Sequence, residues 1–529
     1  MNLDNKLKNW YLKLNKNVKL AFISTIIIGL VCHIYMMTNK WVNLDDIVQI
    51  VDTMNRTTSG RWFLMFPAAI GSEFSLPWLN GLLTIIYTAF ISSIIIQMFD
   101  IKSKINTVLI SGILVTFPTL GSLMPFMNTQ DAYQFGALLA TIGAYLLVKK
   151  ENGYIYTIIL LTLSLGIYQT YLGLSAGLIL IYILIDLFEN KKDFKEILIL
   201  CIKMACSFIL AIALYILISR GIFGKYLVDY KGLDTMGSLP LNRLPEVIFS
   251  AYKAFFLFFI GQEFNYHWIW MPPFLALIVL LTVYLIVYLT NKSKIETKNK
   301  ALVAIIVLLF PLAINIIYVM SFEAGVMLRM AYGYTVMFMF PLILLDYIYE
   351  THKEMFTKTP NGLISEDIKN SKKNLVYYSS WILTIILMLN VYNNIYVTNK
   401  VYFKVGMTNE SSNAYANRIA MRIEAVDGYE TNTKIMMLGN PDSRTSFTKL
   451  IDTRDIEPFI IANHLTRLYS FKYYPNKFLG LPNIINDEDE ITEELEPLRD
   501  IIESMPLYPA EGSIRKIDDT IYIKFKDIK

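Results

Sequence analysis

Eleven stretches of the chain are long, nearly free of charge and apolar on every side. They lie near residues 19–38, 78–98, 106–123, 132–148, 154–170, 171–188, 197–219, 272–290, 301–320, 330–348 and 376–397. A helix that is apolar all round needs an apolar solvent, and about 20 such residues cross the hydrocarbon of a bilayer, where each backbone polar group must be satisfied inside the helix. The pattern predicts a mainly α polytopic bundle of about eleven spans. The run "FSAYKAFFLFFI" at 249–260 is too short to cross and predicts an interfacial or re-entrant helix.

Two segments depart from this pattern. After the first span, Ile47, Val48, Ile50, Val51 and Met54 recur at helical spacing, with Asn43 or Asp45 placed to cap the start and Gly60 placed to end it. That predicts an amphipathic helix lying on the membrane surface. Beyond the last span hydropathy falls: "SNAYANRIAMRIEAVDGYE" has helical periodicity, whereas "KIMMLG" and "TIYIKFK" read as strands. The expected division is a membrane unit over 1–397 and a small α/β domain over 398–529.

Composition agrees with the pattern, since 54% of the 529 residues are hydrophobic and 17% charged, against about 25% charged in soluble domains. The lysines add orientation. Lys6 to Lys19, Lys102/Lys104, Lys149/Lys150, Lys191/Lys192/Lys195, Lys292 to Lys300 and Lys353 to Lys373 all fall on one side of the eleven-span topology. Positive residues are retained in the cytoplasm during insertion, so that side is cytoplasmic and the C-terminal domain is expected outside. The net charge of +4 belongs to these lysines and implies no nucleic-acid surface. Cys32, Cys201 and Cys206 all lie in apolar segments as small core residues, which points to neither a disulfide framework nor a thiolate metal site. The first span has no small-residue cleavage site and reads as a retained signal anchor.

The chemistry must then come from the outer ends of the spans. In "NLDD", Asp45 serves as a helix cap and Asp46 complements the helix dipole, or one of them takes the proton of an attacking hydroxyl. In that second reading the neighbour positions the acceptor or, if it is Asp46, binds a divalent cation, magnesium or manganese. Adjacent helical residues point about 100° apart, so separate roles fit better than a shared clamp. In "SGRW", Arg61 suits a pair of phosphate oxygens, while Trp62 fits a headgroup anchor. Tyr168, Gln169 and Tyr171 interrupt the apolar run "SLGIYQTYLG", and a buried amide there either stitches helices together or faces a polar cavity. Glu323 and Arg329 form a surface pair, or Arg329 meets a lipid-borne phosphate. His267 and Trp268, in "GQEFNYHWIWMPP", join sugar-compatible aromatic faces to hydrogen-bonding groups, although an interfacial aromatic belt has the same content. Asn128, Gln130 and Asp131 form a smaller polar cluster with a simple loop or cap explanation.

Four short motifs, "NLDD", "SGRW", "LGIYQTYL" and "LRMAYGY", resemble those of the Gtr-type glucosyltransferases that decorate bacterial surface polysaccharides, within the GT-C glycosyltransferase superfamily. The resemblance implies an enzyme of the bacterial cytoplasmic membrane that moves a hexose, glucose, from a polyprenyl-phosphate donor to a surface polysaccharide or glycopolymer, on the outer face and with inversion. It assigns the first-loop acid to Asp45 or Asp46. Arg61 and Arg329 are then the cations for the leaving phosphate, and Tyr168, Gln169, Glu323, His267 and Trp268 the substrate contacts. The competing class is a transporter or flippase for lipid-linked sugar or polysaccharide, which calls for ionisable groups near mid-span or broken helices at matched positions in two halves.

Overall fold

A computed structural model of the chain describes residues 3–41, 59–71, 75–227, 241–260, 271–293, 295–320, 327–351, 371–439, 473–482, 484–488 and 495–527. Its helices are α1 (Leu3–Lys13), α2 (Lys16–Met37), α3 (Met65–Gly71), α4 (Pro77–Phe99), α5 (Lys104–Thr116), α6 (Pro118–Leu123), α7 (Gln130–Lys149), α8 (Gly153–Leu165) and α9 (Leu172–Glu189). There follow α10 (Phe194–Gly221), α11 (Leu244–Ile260), α12 (Met271–Lys292), α13 (Thr297–Ile314), α14 (Ile316–Met320), α15 (Thr335–Thr351), α16 (Ser371–Glu424), α17 (Tyr473–Phe478) and α18 (Arg499–Ser504).

Ten helical segments among the described residues are long and apolar enough to cross a membrane, and they coincide with ten of the expected spans. The remaining expected span, 154–170, is the 13-residue α8. It stops at Leu165, where the Gly166 carbonyl accepts from the Phe63 backbone instead of a later turn, and Gly166 leaves room for the Trp62 ring: a β-carbon there would lie 2.8 Å from two ring atoms. The short helix lies along α7, with Gly153 against the Leu146 carbonyl, Ser164 donating to the Gly136 carbonyl (2.8 Å) and Gly166 accepting the backbone N–H of Phe63 at 2.8 Å. Helix α11 is longer than expected. It starts at Leu244, with Pro245 in the first turn, where a missing N–H removes no helical bond.

Helix ends follow local chemistry. Asp193 and Glu196 form a capping box on α10, and Ser103 caps α5 by accepting the Asn106 N–H at 3.2 Å. Packing uses the small residues that the sequence places on helix faces, as where Gly173 lies against the backbone carbonyl of Ile314. Of the cysteines, Cys32 is buried, Cys201 is half-buried and Cys206 is exposed on α10, so only Cys32 is a true core residue.

The lysine-bearing ends come together. Asn17 at the start of α2 donates to the carbonyls of Ile101 and Lys102 (2.9 and 2.8 Å), and Asp346 in α15 accepts the backbone N–H groups of Lys102 and Ser103 (2.9 and 2.8 Å). Lys149 and Lys192 both stand over Tyr182, at 4.7 and 5.7 Å.

Helix α16 runs for 54 residues and passes residue 398 without a break. Tyr377 and Trp381, near its start, stand beside Lys102. Farther along, Asn399 donates to the Cys32 carbonyl (3.2 Å) and Tyr402 meets His33 Nδ1 (2.9 Å). Because His33 Nε2 faces the Val115 carbonyl (2.8 Å), the proton sits on Nε2 and Tyr402 donates to Nδ1. The final turns of α16 pack Ala416, Ile419 and Ile423 on a four-stranded sheet of order β2-β1-β4-β3, with β1 Lys434–Leu438, β2 Ile484–Glu488, β3 Ile514–Ile517 and β4 Thr520–Lys524. β1 is parallel to β2 and β4, and β3 is antiparallel to β4. Side chains alternate along the strands: Ile435, Met437, Ile521 and Ile523 face α16, whereas Met436, Leu438 and Tyr522 pack with Ile502 of α18.

Candidate functional site

At the end of the bundle opposite the lysines, Gly60 turns the chain with φ of 72°, the left-handed conformation expected of a residue that ends a helix. The proposed surface helix before it lies outside the described residues, as do Asp45 and Asp46. Trp62 is buried, packed on Gly166 and stacked on Phe223 (6.1 Å, 8° between planes), instead of anchoring in the headgroup region. An indole seated in a glycine notch fixes the backbone of its neighbour, Arg61.

The half-buried Arg61 lies among tyrosines. Its Nη1 donates to the Tyr133 hydroxyl at 2.9 Å, and its guanidinium carbon lies 5.6 Å from the Tyr133 ring and 5.0 Å from the Tyr168 ring. Those two rings are 4.9 Å apart. From Tyr168 the aromatic chain continues edge-on to Tyr171 (5.7 Å) and from Tyr171 to Tyr332 (6.2 Å). Around it is a layer of hydrogen bonds. Gln134 donates to the Tyr332 hydroxyl (2.9 Å) and to Thr88 (3.0 Å), Tyr332 donates to the Leu114 carbonyl (3.1 Å), and Gln169 donates to the Tyr215 hydroxyl (2.7 Å). Among the described residues the Tyr171 hydroxyl and the Gln134 amide oxygen are buried with no protein partner.

Three of the four sequence motifs thus meet: "SGRW" supplies Arg61, "LGIYQTYL" supplies Tyr168, Gln169 and Tyr171, and "LRMAYGY" supplies Tyr332. Arg329 takes a different neighbour, with its guanidinium over the Phe126 ring at 5.7 Å, in a turn held by Thr119 donating to the Leu328 carbonyl (2.7 Å). Glu323, His267 and Trp268 lie outside the described residues. Tyr133, Gln134 and Tyr215 are additions to the sequence reading. The first two could have been found as polar groups in the first turn and a half of an apolar span, but Tyr215, deep in "LAIALYILISRG", leaves no mark.

Asp131 is fully buried in the first turn of α7, its carboxylate against Gly71, where a β-carbon would have no room. That position complements the helix dipole. Among the described residues no group of three or more His, Cys, Asp or Glu could hold a metal ion; Asp46, the residue raised for that role, is not among them.

A guanidinium fixed on aromatic faces can hold phosphate oxygens through its remaining N–H groups, and tyrosine faces and hydroxyls suit a sugar ring. On a polytopic bundle, that combination suits a membrane glycosyltransferase, the class to which its family assigns the chain. The chain belongs to the glucosyl transferase GtrII family, whose model matches residues 34–345 and so spans all four motifs and the tyrosine cluster. No curated protein and no solved structure matches the chain.

Proposed function

We propose that this glycosyltransferase moves glucose from a polyprenyl-phosphate donor to a polysaccharide or glycopolymer on the outer face of the bacterial cytoplasmic membrane, with inversion at the anomeric carbon. The observation that carries the reading is the placement of Arg61 on Tyr133 and Tyr168 at the end of the bundle opposite the lysines. On the positive-inside rule that end faces outward, and the domain at the end of α16 projects from the same side.

In the proposed step, an acceptor hydroxyl attacks the anomeric carbon as the bond from that carbon to the phosphate oxygen breaks. The hydroxyl proton passes to the first-loop carboxylate, Asp45 or Asp46, and the electron pair leaves on polyprenyl phosphate. Arg61 stabilises the charge that develops on that phosphate, with Arg329 as the second cation. Tyr168 and Gln169 orient the sugar, with Glu323, His267 and Trp268 as further contacts. The carboxylate that is not the base positions the acceptor or, if it is Asp46, holds a divalent cation.

The test is transfer from radiolabelled polyprenyl-phosphate glucose in membranes that contain the protein. Asp45→Asn and Asp46→Asn are each expected to remain inserted, and at least one to lose transfer. Full transfer by both would remove the first loop as the source of the base. Movement of the labelled donor across the bilayer without transfer would favour a flippase.

A further inference from the structure

A cleft of about 480 Å³ opens at the lysine-bearing end of the bundle, between the start of α5, the end of α15 and the first turns of α16. Lys102, Ser103 and Asn106 form its polar side, and Tyr349, Tyr377 and Trp381 its aromatic side. Among the described residues that line it, Lys102 alone carries a full charge. The polar side is fixed in advance. Asp346 holds the backbone N–H groups of Lys102 and Ser103, and Ser103 Oγ accepts the Asn106 N–H at 3.2 Å, which leaves its hydroxyl hydrogen to donate.

The Lys102 ammonium pairs with Asp100 at 2.6 Å, with side chains 43% and 66% exposed. An ion pair so open to solvent exchanges readily for another anion. Next to the cleft the surface turns apolar, with Ile105 61% and Trp381 56% exposed on helices of the membrane bundle. A free phosphorylated metabolite would find one cation among the described residues and a wall that opens on hydrocarbon. A lipid carries a charged head joined to an apolar chain, and this surface sets Lys102 beside exposed Ile105 and Trp381.

We infer that the cleft binds the phosphate headgroup of an anionic bilayer glycerophospholipid. Lys102 meets the phosphate oxygens, the Ser103 hydroxyl donates beside it, and the upper acyl chain lies along Ile105 and Trp381. The inference is independent of the sugar chemistry at the opposite end.

The experiment uses the full-length protein in phosphatidylcholine nanodiscs doped with a phosphatidylglycerol that bears a photoreactive group on its upper acyl chain. Cross-links are expected on the peptides that contain Ile105 and Trp381, with excess unlabelled phosphatidylglycerol competing. Loss of one interfacial cation lowers capture about fivefold, so Lys102→Gln should reduce the cross-link by that factor, while Lys104→Gln, an exposed lysine off the cleft, should preserve it. An equal fall with Lys104→Gln would refer the effect to general surface charge and overturn the site. Equal capture of a diacylglycerol probe that lacks phosphate would overturn headgroup recognition. Competition by soluble glycerol phosphate as strong as that by the lipid would overturn the bilayer source.

Discussion

Replacing Arg61 with methionine removes the guanidinium while keeping an unbranched stem against the two tyrosine rings. The stability at risk is the charged hydrogen bond to Tyr133, about 1.5–3 kcal/mol, and two cation–π contacts of about 0.5–1 kcal/mol each. Part of this returns through sulfur–aromatic contacts of about 0.3–1.5 kcal/mol, so a net loss of about 1–5 kcal/mol in stability is expected. The catalytic loss is a separate quantity, read in turnover of the folded enzyme. Taking away one preorganised donor to a developing oxyanion lowers turnover by roughly 10²–10³, about 2.7–4 kcal/mol. Arg61→Lys keeps the charge but loses the planar fork, so it should fall between the two. The assay is kcat/KM for transfer from polyprenyl-phosphate glucose in proteoliposomes, with thermal unfolding measured on the same preparations. If Arg61→Met stays within about threefold of the parent protein while its melting temperature falls, the arginine is a fastener for the tyrosines and the phosphate role is refuted.

Gly166→Ala keeps an ordinary helical backbone but drives a methyl into the Trp62 ring, and overpacking of this kind costs about 1–3 kcal/mol, readable as a lower melting temperature that Trp62→Phe partly restores. The Tyr171 hydroxyl has no protein partner among the described residues, whereas the Tyr332 hydroxyl links Gln134 to the Leu114 carbonyl. Tyr171→Phe should therefore leave the melting temperature unchanged and Tyr332→Phe should lower stability by about 1–3 kcal/mol, with the reverse order refuting the assigned hydrogen bonds. In the C-terminal domain the hydrogen bond from Arg499 holds the Glu496 carboxyl below the usual glutamate range. The contribution of that pair is complete above the ordinary glutamate pKa and fades as pH falls through the lowered folded value, and Arg499→Gln should return the carboxyl upward in an NMR titration.

The spans were legible because the bilayer forces each crossing to be a self-satisfied apolar helix, and hydropathy reads that rule directly. The early end of α8 was not, because the Gly166 carbonyl there accepts from the backbone of Phe63, about a hundred positions away. Arg61, Tyr168 and Gln169 stood out as polar groups interrupting or bordering apolar runs. Tyr215 did not, since a tyrosine within an apolar helix can face lipid or core equally well, and only the fold turns its hydroxyl to Gln169. Trp62 was misread for the same reason: an interfacial tryptophan and a buried one have the same local sequence. In the C-terminal region the strands "KIMMLG" and "TIYIKFK" were visible from their residues, but their parallel pairing rests on a crossover that local pattern does not encode.

Helix α16 connects the two regions mechanically. At about 1.5 Å per residue its 54 residues extend roughly 80 Å, well beyond a hydrocarbon layer of about 30 Å, so its C-terminal part must leave the apolar phase. Within the bundle it is fastened over successive turns to α2 and the residues just after it: Asn399 to the Cys32 carbonyl, Tyr402 to His33, and Gly406 against the Trp41 ring, where a β-carbon would lie 2.6 Å from a ring atom. A helix held at those points and packed on the sheet through Ala416, Ile419 and Ile423 is a rigid strut, with no glycine or proline between Gly406 and its end to act as a hinge. The sheet is consequently carried on the Arg61 end of the bundle. The GtrII match ends at residue 345, before this strut begins, so the stretch that the family model matches and the element that carries the C-terminal domain are separate parts of the chain joined through the α2 contacts.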